Sequence, residues 1–341
     1  HGHRGNPWKG HPFNRWNNIN GINGDLNGDD SGAETHQLLT PEITAYQESY
    51  VRRVIDSVND LDNVLFEVSN ESYSNSKAWQ YHMIDFIHSY EATKPKQHPV
   101  RMTQYQWPGC NEDLFNSPAD WISPWEELSD YPYRDDPRPS DGKKVVIVDT
   151  DHLWGIGGDR AWAWKSFLRA NQPNFMDAYD GAAIGSGAPA PWDIRRTTWK
   201  EVANDILGHS KRPVGWDGNA ETWVSLRANL GYIQAYAKRI QLEKMIPRPS
   251  LSSTKYCLAY ESRTSAEYLI YRDTRAGIIS VDLSNSLGYL QVEWFNPDNG
   301  ETKSDVSMKA GGVRQFAPPF NGDAVLYLHS ANANNVEMSS S

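Results

Sequence analysis

The sequence predicts an α/β fold with a parallel sheet, followed by a separate all-β sandwich. From residue 40 to about residue 243, short apolar segments alternate with segments whose apolar residues recur every three or four positions. This alternation of strands and helices is typical of parallel βαβ units. After residue 250 the segments are strand-like, and polar turns separate them at regular intervals, which is typical of a small sandwich. The two predicted domains are residues 1–246 and 250–332.

Local patterns predict the elements of the first domain. Residues 1–40, rich in Gly, Asn and Asp, are expected to form a long loop. Thr40 is placed to cap a helix that begins at Pro41. The apolar face of this helix is formed by Ile43, Tyr46, Tyr50, Val54 and Val58. Strands are expected at residues 63–68, 100–105, 120–122, 144–149 and 174–176, and further helices at about 76–91, 159–170, 192–207 and 219–243.

The second domain is expected to begin after a linker that contains Pro247, Pro249 and residues 250–253. Turns such as Asn296–Gly300 then separate seven short strands. These strands are expected at residues 255–260, 267–271, 278–283, 289–295, 301–307, 312–317 and 323–329.

Composition excludes several classes of function. The chain has 33 basic and 43 acidic residues and a net charge of −10, whereas a nucleic-acid-binding surface needs a basic stripe. No segment approaches the roughly 18 consecutive apolar residues of a membrane-spanning helix, so neither nucleic acid nor a membrane is an expected partner. Two cysteines, Cys110 and Cys257, are too few for a disulfide scaffold or a Cys-based zinc site. The 14 Trp and 17 Tyr suit either a sugar-binding cleft or the filling of a core.

The first loop contains a possible cation-binding pattern. Asp25, Asn27, Asp29 and Asp30 in DLNGDD suggest a calcium loop. An EF-hand requires Gly at its sixth position and Glu at its twelfth, where this chain has Asp30 and His36. An Asx-rich turn is the alternative interpretation.

The first segment with catalytic character is Phe66–Ser72, in which an apolar strand runs directly into Asn70-Glu71. A partly desolvated carboxyl group at a strand end has a raised pKa and can donate a proton. The adjacent Asn70 is suited to hydrogen-bond a substrate hydroxyl. The alternative is that Glu71 caps the following helix or is simply solvated.

The second such segment is Val146–Gly155, in which Asp149, Asp151, His152 and Trp154 follow the clearest strand of the chain. Alternate residues of a strand point the same way, so Asp149 and Asp151 share an orientation if the extended backbone continues. This arrangement suits a nucleophilic carboxylate beside a sugar-stacking Trp154. A metal site formed by Asp149, Asp151 and His152 is the alternative.

These two segments carry a resemblance to a known family. VNDLDNVLFEVSNES resembles the fourth-strand region of retaining glycoside hydrolases of the cellulase-type (β/α)8 clan, and VVIVDTDH resembles their seventh strand. Residues 10–330 resemble cellulase-like and apiosidase-like hydrolases. Those hydrolases end in a small sandwich that is labelled a collagen-binding domain. Those enzymes usually place Glu at the nucleophile position, where this chain has Asp151.

The resemblance implies a (β/α)8 barrel whose first three strands are missing from this chain, with residues 10–20 as the loop after strand three. Either another polypeptide would then supply those strands, or the chain is not a complete natural enzyme. Glu71 is implied as the general acid/base and Asp151 as the nucleophile, without cofactor or metal. The implied substrate-binding residues are Asn70, Tyr105, Trp107, Asp149, His152, Trp154 and Tyr179.

The expected function is hydrolysis of glycosidic bonds in a poly- or oligosaccharide with retention of configuration. An inverting hydrolase and a non-catalytic carbohydrate-binding protein are the alternatives. The expected location is secreted or periplasmic, although the opening sequence shows no signal peptide. His11, Asn14, Asn17 and Asn18 of the first loop are expected either to contact the sugar or to stabilise the loop.

Overall fold

The structure is a computed structural model that describes residues 6–70, 72, 74–103, 111–125, 133–153, 158–175, 221–274 and 277–330. Contacts divide the chain into two compact units. The first comprises His1–Glu127 and Lys143–Ile147, and the second comprises Leu128–Gly142 and Val148–Ser341. None of the described helices is both long and apolar enough to cross a membrane.

A parallel sheet forms the centre of the first unit. Its strands are β1 (Phe66–Glu67), β2 (Val100–Thr103), β3 (Trp121–Ser123) and β4 (Val145–Asp149), which pair in chain order. All these pairings are parallel, as the alternation of strands and helices predicts. The carboxyl ends of β1, β2 and β3 therefore lie at one edge of the sheet in the first unit. β1 is much shorter than the predicted strand, and Leu65 just before it is 59% exposed.

Three helices belong to this unit: α1 (Pro41–Val58), α2 (Lys77–Glu91) and α3 (Asn111–Phe115). α1 begins at Pro41 as predicted, and α1 packs against α2, which in turn packs against β2. The predicted apolar face of α1 is partly wrong. Ile43 and Ile55 are buried, but Tyr46 and Tyr50 are 48% and 71% exposed. The hydroxyl end of a tyrosine side chain is compatible with water. The spacing of apolar residues therefore predicts that a helix forms, but not which of its faces is buried.

A buried ion pair fixes the connection between α2 and β2. Glu91 and His98 are 1% and 6% exposed, and Glu91 Oε1 lies 2.7 Å from His98 Nδ1. His98 Nε2 lies 2.8 Å from the carbonyl oxygen of Leu61. Because both ring nitrogens face acceptors, the doubly protonated imidazolium satisfies both contacts. The hydrogen bond to Glu91, and after it the bond to Leu61, raise the pKa of His98.

The second unit contains α4 (Thr150–Leu153), α5 (Arg160–Leu168), β5 (Asn171–Asn174) and α6 (Glu221–Arg239). The Asp159 carboxylate caps α5 by accepting a hydrogen bond from the Trp162 backbone at 2.8 Å. β5 follows β4 in the order of the parallel sheet. It precedes the strand predicted at 174–176, because its residues Asn-Gln-Pro-Asn lack the apolar pattern by which strands are recognised. The helix predicted at 192–207 lies outside the described residues.

The sandwich comprises two antiparallel sheets. Its strands are β6 (Ile246–Pro247), β7 (Cys257–Tyr260), β8 (Glu267–Arg272), β9 (Ile279–Asp282), β10 (Tyr289–Phe295), β11 (Thr302–Lys309), β12 (Val313–Phe316) and β13 (Ala324–Ser330). One sheet has the order β11-β10-β13-β8-β7-β6, and β12 pairs with β9 in the other. Both sheets contribute to one core, with Ile270 and Trp294 from the first and Val281 from the second. Cys257 is also buried in this core.

The segment predicted as a linker is part of the sandwich. Ile246–Pro247 pairs with β7 as an edge strand, and the Arg248 backbone donates a hydrogen bond to the Cys257 carbonyl. Proline suits this position because an edge strand does not need every N–H group. The predicted domain boundary between residues 246 and 250 stays a prediction.

Polar contacts among aromatic side chains join α5 and α6 to the sandwich within the second unit. Trp164 Nε1 of α5 donates to Asn229 Oδ1 of α6 at 2.8 Å. Asn229 Nδ2 then donates to the Pro297 carbonyl at 2.9 Å. The Tyr236 hydroxyl donates to Glu293 of β10 at 2.8 Å, and burial followed by that carboxylate raises the pKa of Tyr236. Because these groups are largely buried, each needs its partner, and the two helices are fixed in one register on the sandwich.

The Glu91–His98 pair predicts a pH-dependent stability. The raised pKa of His98 contributes stability that is fully present below about pH 6.5, its ordinary pKa, and that is lost as the pH rises through the folded-state pKa. We expect Glu91→Gln to lower the free energy of unfolding by about 1–3 kcal/mol below pH 6.5 and to flatten the pH dependence. Denaturant unfolding measured across this range tests the expectation. Glu112→Gln, which removes an exposed carboxylate of α3, is the control, and an unchanged slope in Glu91→Gln would contradict the assignment.

Candidate active site

Two serine side chains after β1 contact each other in the first unit. The Ser69 and Ser72 hydroxyl groups are hydrogen-bonded to each other, and Ser72 is 9% exposed. Asn70 is exposed. Glu71, the predicted acid/base, lies outside the described residues, so its role stays a prediction. Asn70 lies three residues after the end of β1, a strand of the parallel sheet.

A polar row crosses the sheet beneath these strand ends. Glu67, Arg101 and Trp121 are paired in register on β1, β2 and β3. Arg101 Nη1 lies 3.2 Å from Glu67 Oε2, and the Arg101 guanidinium lies 4.7 Å from the centre of the Trp121 ring. Cation–π and ion-pair contacts of this kind hold a guanidinium in one orientation. In the alternate positions of the same strands, Met102 and Ile122 are fully buried.

The residues after β4 form a helical turn in the second unit. Asp149 ends the strand, and Thr150 begins α4, so the backbone is no longer extended at Asp151. The expectation of a shared orientation required the extended backbone to continue through Asp151, and that condition is not met. Asp151 lies within α4, but its side chain is outside the described part of the chain.

Asp149 and His152 have defined surroundings in this turn. Asp149 Oδ2 accepts a hydrogen bond from Asn174 Nδ2 at 3.2 Å, which links the ends of β4 and β5. His152 is 6% exposed and lies inside the unit. The sequence interpretation missed Asn174. An amide side chain at the end of a strand could have indicated this residue, but the polar sequence of β5 does not look like a strand.

Gly158 brings the start of α5 close to the turn after β4. Its φ of +98° lies in a region that L side chains rarely adopt. A Cβ atom there would lie 3.1 Å from Thr150 Cγ2 and 3.2 Å from the Trp162 ring. Thr150 and Trp162 are 0% and 1% exposed, so neither side chain has room to withdraw. The turn containing Asp149 and Asp151 is thus packed against the first residues of α5.

The other predicted contacts lie outside the described residues. They are Tyr105, Trp107, Trp154 and Tyr179, and their roles stay predictions. The metal alternative at Asp149, Asp151 and His152 stays a prediction, because the Asp151 side chain is outside the described part of the chain. Among the described side chains, no group of three or more His, Cys, Asp or Glu could hold a metal ion.

The asparagines of the first loop hydrogen-bond their own backbone. Asn14 is buried and donates to the Trp8 carbonyl at 3.1 Å, and Asn17 donates to the Lys9 carbonyl at 2.7 Å. Asn18 donates to the carbonyls of residues 12, 14 and 22. These amides stabilise the loop, as one of the two expectations had it. The loop leaves Trp16 78% exposed.

The DLNGDD segment forms the Asx-rich turn. The Asp25 carboxylate accepts hydrogen bonds from the backbones of Gly28, Asp29 and Asp30 at 2.9, 3.2 and 3.1 Å. A carboxylate that holds three amide N–H groups is already satisfied. Hydrogen bonds from Ser31 and Asn27 lower the pKa of Asp29.

A cavity of about 410 Å³ lies beside this turn in the first unit. It is lined by Leu26, Asn27, Asp29, Ala33, Glu34, Gln37, Leu39 and Asn75. Asn75 follows Glu71 by four residues in the sequence. Amide and carboxylate groups beside apolar side chains form a lining suited to a polyhydroxylated ligand.

Residues 243–329 match a protein family described as "Putative collagen-binding domain of a collagenase". The matched segment coincides with the sandwich, from just before β6 to the end of β13. A search of curated proteins gave no match to the chain.

Two solved structures share the fold of the chain. One is a glycoside hydrolase of family 5 from Bacteroides vulgatus, which is 14% identical, with a TM-score of 0.52 over 84% of this chain and 67% of that protein. The other is described as a glycoside hydrolase and is also 14% identical, with a TM-score of 0.50 over 84% of this chain and 69% of that protein. Identity at this level establishes the fold alone. The predicted resemblance to barrel-type glycoside hydrolases with a C-terminal sandwich is confirmed at the level of the fold.

The close packing at Gly158 predicts the effect of a single methyl group. We expect Gly158→Ala to lower the free energy of unfolding by about 1–3 kcal/mol, because the added Cβ both strains the backbone and presses on Thr150. Gly231→Ala is the matched control, since Gly231 lies within α6 with nothing within 4 Å of its added Cβ. That variant should be neutral or stabilised by up to about 1 kcal/mol. Equal effects of the two substitutions in thermal unfolding would contradict the packing described.

Proposed function

We propose that the chain is a glycoside hydrolase that cleaves glycosidic bonds in a poly- or oligosaccharide by a retaining mechanism. The observation that carries the proposal is that Asn70 follows β1 and Asp149 ends β4 in one parallel sheet. In the sequence, Glu71 is the residue after Asn70, and Asp151 comes two residues after Asp149. In barrel-type α/β enzymes the carboxyl ends of the strands carry the active site. The fold shared with glycoside hydrolases supports the same assignment.

The proposed reaction proceeds in two displacements. Glu71 donates its proton to the glycosidic oxygen as the bond from that oxygen to the anomeric carbon breaks, and an Asp151 carboxylate oxygen forms an ester bond to the same carbon. Glu71, now ionised, then removes a proton from water, which attacks the anomeric carbon and releases Asp151. Retention requires the two carboxyl groups to lie about 5–5.5 Å apart, whereas about 6.5–9.5 Å would favour inversion.

Asp149 is the competing nucleophile, and its contact with Asn174 favours a different role. A carboxylate oxygen that accepts a hydrogen bond is a weaker nucleophile than one that is free to approach the sugar. Asp149 therefore suits a position beside the reaction, where it orients a neighbouring group or a sugar hydroxyl. The proposed nucleophile stays Asp151, in accordance with the alignment of VVIVDTDH.

The remaining contacts in the proposal follow the chemistry of sugars. Asn70 is assigned to a substrate hydroxyl, and Tyr105, Trp107, Trp154 and Tyr179 are assigned to the apolar faces of sugar rings. His152 is kept among the proposed substrate contacts. Because the His152 side chain is buried within the second unit, we expect it to affect the substrate through the backbone turn after β4 more than by direct contact from the surface. A secreted or periplasmic location is part of the same proposal.

Glu71 is tested through leaving groups of different basicity. On natural glycans, Glu71→Ala should reduce kcat/KM by at least about 100-fold, because the leaving oxygen needs a proton. On aryl glycosides with a weakly basic leaving group the loss should be much smaller. Glu112→Gln, which changes an exposed acid of α3, is the control for nonspecific effects.

Two outcomes would contradict this assignment. Equal losses on both classes of substrate would remove Glu71 as the proton donor. Binding of soluble polysaccharides by wild type and Glu71→Gln alike, with no hydrolysis by wild type, would replace the enzyme with a carbohydrate-binding protein.

Asp151 is tested by trapping the covalent intermediate. A 2-deoxy-2-fluoro glycoside of the sugar that wild type hydrolyses, with 2,4-dinitrophenolate as its leaving group, should inactivate the enzyme and label Asp151. The fluorine slows both displacements, while the activated leaving group keeps formation of the ester faster than its hydrolysis. Mass spectrometry of the peptides locates the label, and Asp149→Asn should still be labelled at Asp151. A label on Asp149 would reverse the assignment of the nucleophile. Active enzyme without any label would favour inversion.

A further inference from the structure

The first residue of α5 holds two turns of the sandwich. Arg160 Nε and Nη2 bind both oxygens of Asp323 at 3.1 and 2.8 Å, and Nη1 binds Asp298 Oδ1 at 2.6 Å. Asp298 lies in the turn after β10, and Asp323 lies just before β13. A bidentate guanidinium–carboxylate contact fixes both distance and orientation. Arg160 therefore fixes the start of α5 relative to the sandwich within the second unit.

The Asp323 carboxylate is buried and is held by more than one hydrogen-bond donor. Its side chain is 4% exposed, and Oδ2 also accepts a hydrogen bond from the Tyr271 hydroxyl at 3.0 Å. Asp298 differs, because its side chain is 68% exposed. An ion pair with a buried carboxylate whose oxygens both accept hydrogen bonds is held more rigidly than one with an exposed carboxylate, which water and salt weaken. The contact with Asp323 is thus the stronger of the two.

The fixed start of α5 in turn supports the acidic turn after β4. Gly158 lies against both Thr150 and Trp162, the third residue of α5. Asp159 caps α5 between them. Any shift of Arg160 along the sandwich would carry Gly158 and Trp162 with it and would disturb the backbone that bears Asp149 and Asp151.

We propose that Arg160 and Asp323 are positioning residues, through which the sandwich fixes the turn Asp149–Leu153 for the reaction. This inference rests on the proposed function where it concerns catalysis, and it assigns the sandwich a part in that reaction. Acids that act on a bound sugar must be held close to their productive geometry, and a misplacement of about 1 Å costs up to about 100-fold in rate. A buried ion pair can supply that constraint from outside the site.

The first test follows the backbone and needs no substrate. In Asp323→Asn, which keeps the shape of the side chain but removes its charge, amide hydrogen exchange in residues 149–153 should become faster by at least about tenfold. Val281→Ala, which opens the sandwich core in the other sheet, is the matched control for lost stability and should leave this turn unchanged under native conditions. Unchanged exchange of residues 149–153 in Asp323→Asn would overturn the proposal.

The second test separates positioning from stability. In Asp323→Asn the rate constant for inactivation by the fluoro-glycoside should fall by about 10- to 100-fold, while the concentration for half-maximal inactivation changes by less than about threefold. Arg160→Gln should have a similar effect, and the double variant should lose little more than either single variant. Tyr271→Phe, which keeps the ion pair, should lose less.

The two proposals fail in different ways. If the rate constants of Asp323→Asn and Val281→Ala fall equally, the pair contributes stability alone and the positioning role is wrong. If wild type hydrolyses no glycan and takes no label while exchange in residues 149–153 still responds to Asp323→Asn, the proposed function is wrong and the mechanical link stands.

Discussion

The ion pair between Arg160 and Asp323 is the contact on which the second unit depends. The two residues are 163 positions apart, so the pair closes a long segment of chain and joins a helix of the α/β region to the sandwich. Burial of the Asp323 charge is costly, and it is tolerated because Arg160 and Tyr271 donate hydrogen bonds to its carboxylate. On the same two helices, Trp164 of α5 packs against Tyr236 of α6 with ring centroids 5.8 Å apart.

The sandwich and the helices α5 and α6 belong to one compact unit. As a separate module the sandwich would be attached through a flexible linker, but Ile246–Pro247 extends its sheet and α5 and α6 lie against it in the same compact unit. The acidic turn after β4 begins in that unit as well. The sandwich is therefore part of the framework that supports one of the two acidic segments, whereas the other, after β1, belongs to the first unit.

The elements that the sequence predicts well are those with a strong local signal. α1 begins at Pro41, and the strands of the sandwich lie close to their expected positions, because turn residues mark their limits. α4 could not be predicted, since a single helical turn has no apolar period, and it ends the extended backbone at Asp149. The ion-pair partner of Arg160 could not be predicted either, because no sequence pattern near Arg160 indicates a contact with Asp323. At the candidate site, sequence therefore predicts the type and order of the acids, and the tertiary contacts decide how they are held.

The burial of Cys257 has a practical consequence. Its thiol is 1% exposed in the core of the sandwich, and burial raises its pKa, so the reactive thiolate is scarce in the folded chain. Alkylating reagents can reach this sulfur only when β7 separates from its neighbours. The rate at which Cys257 is alkylated under native conditions therefore reports how often the sandwich opens.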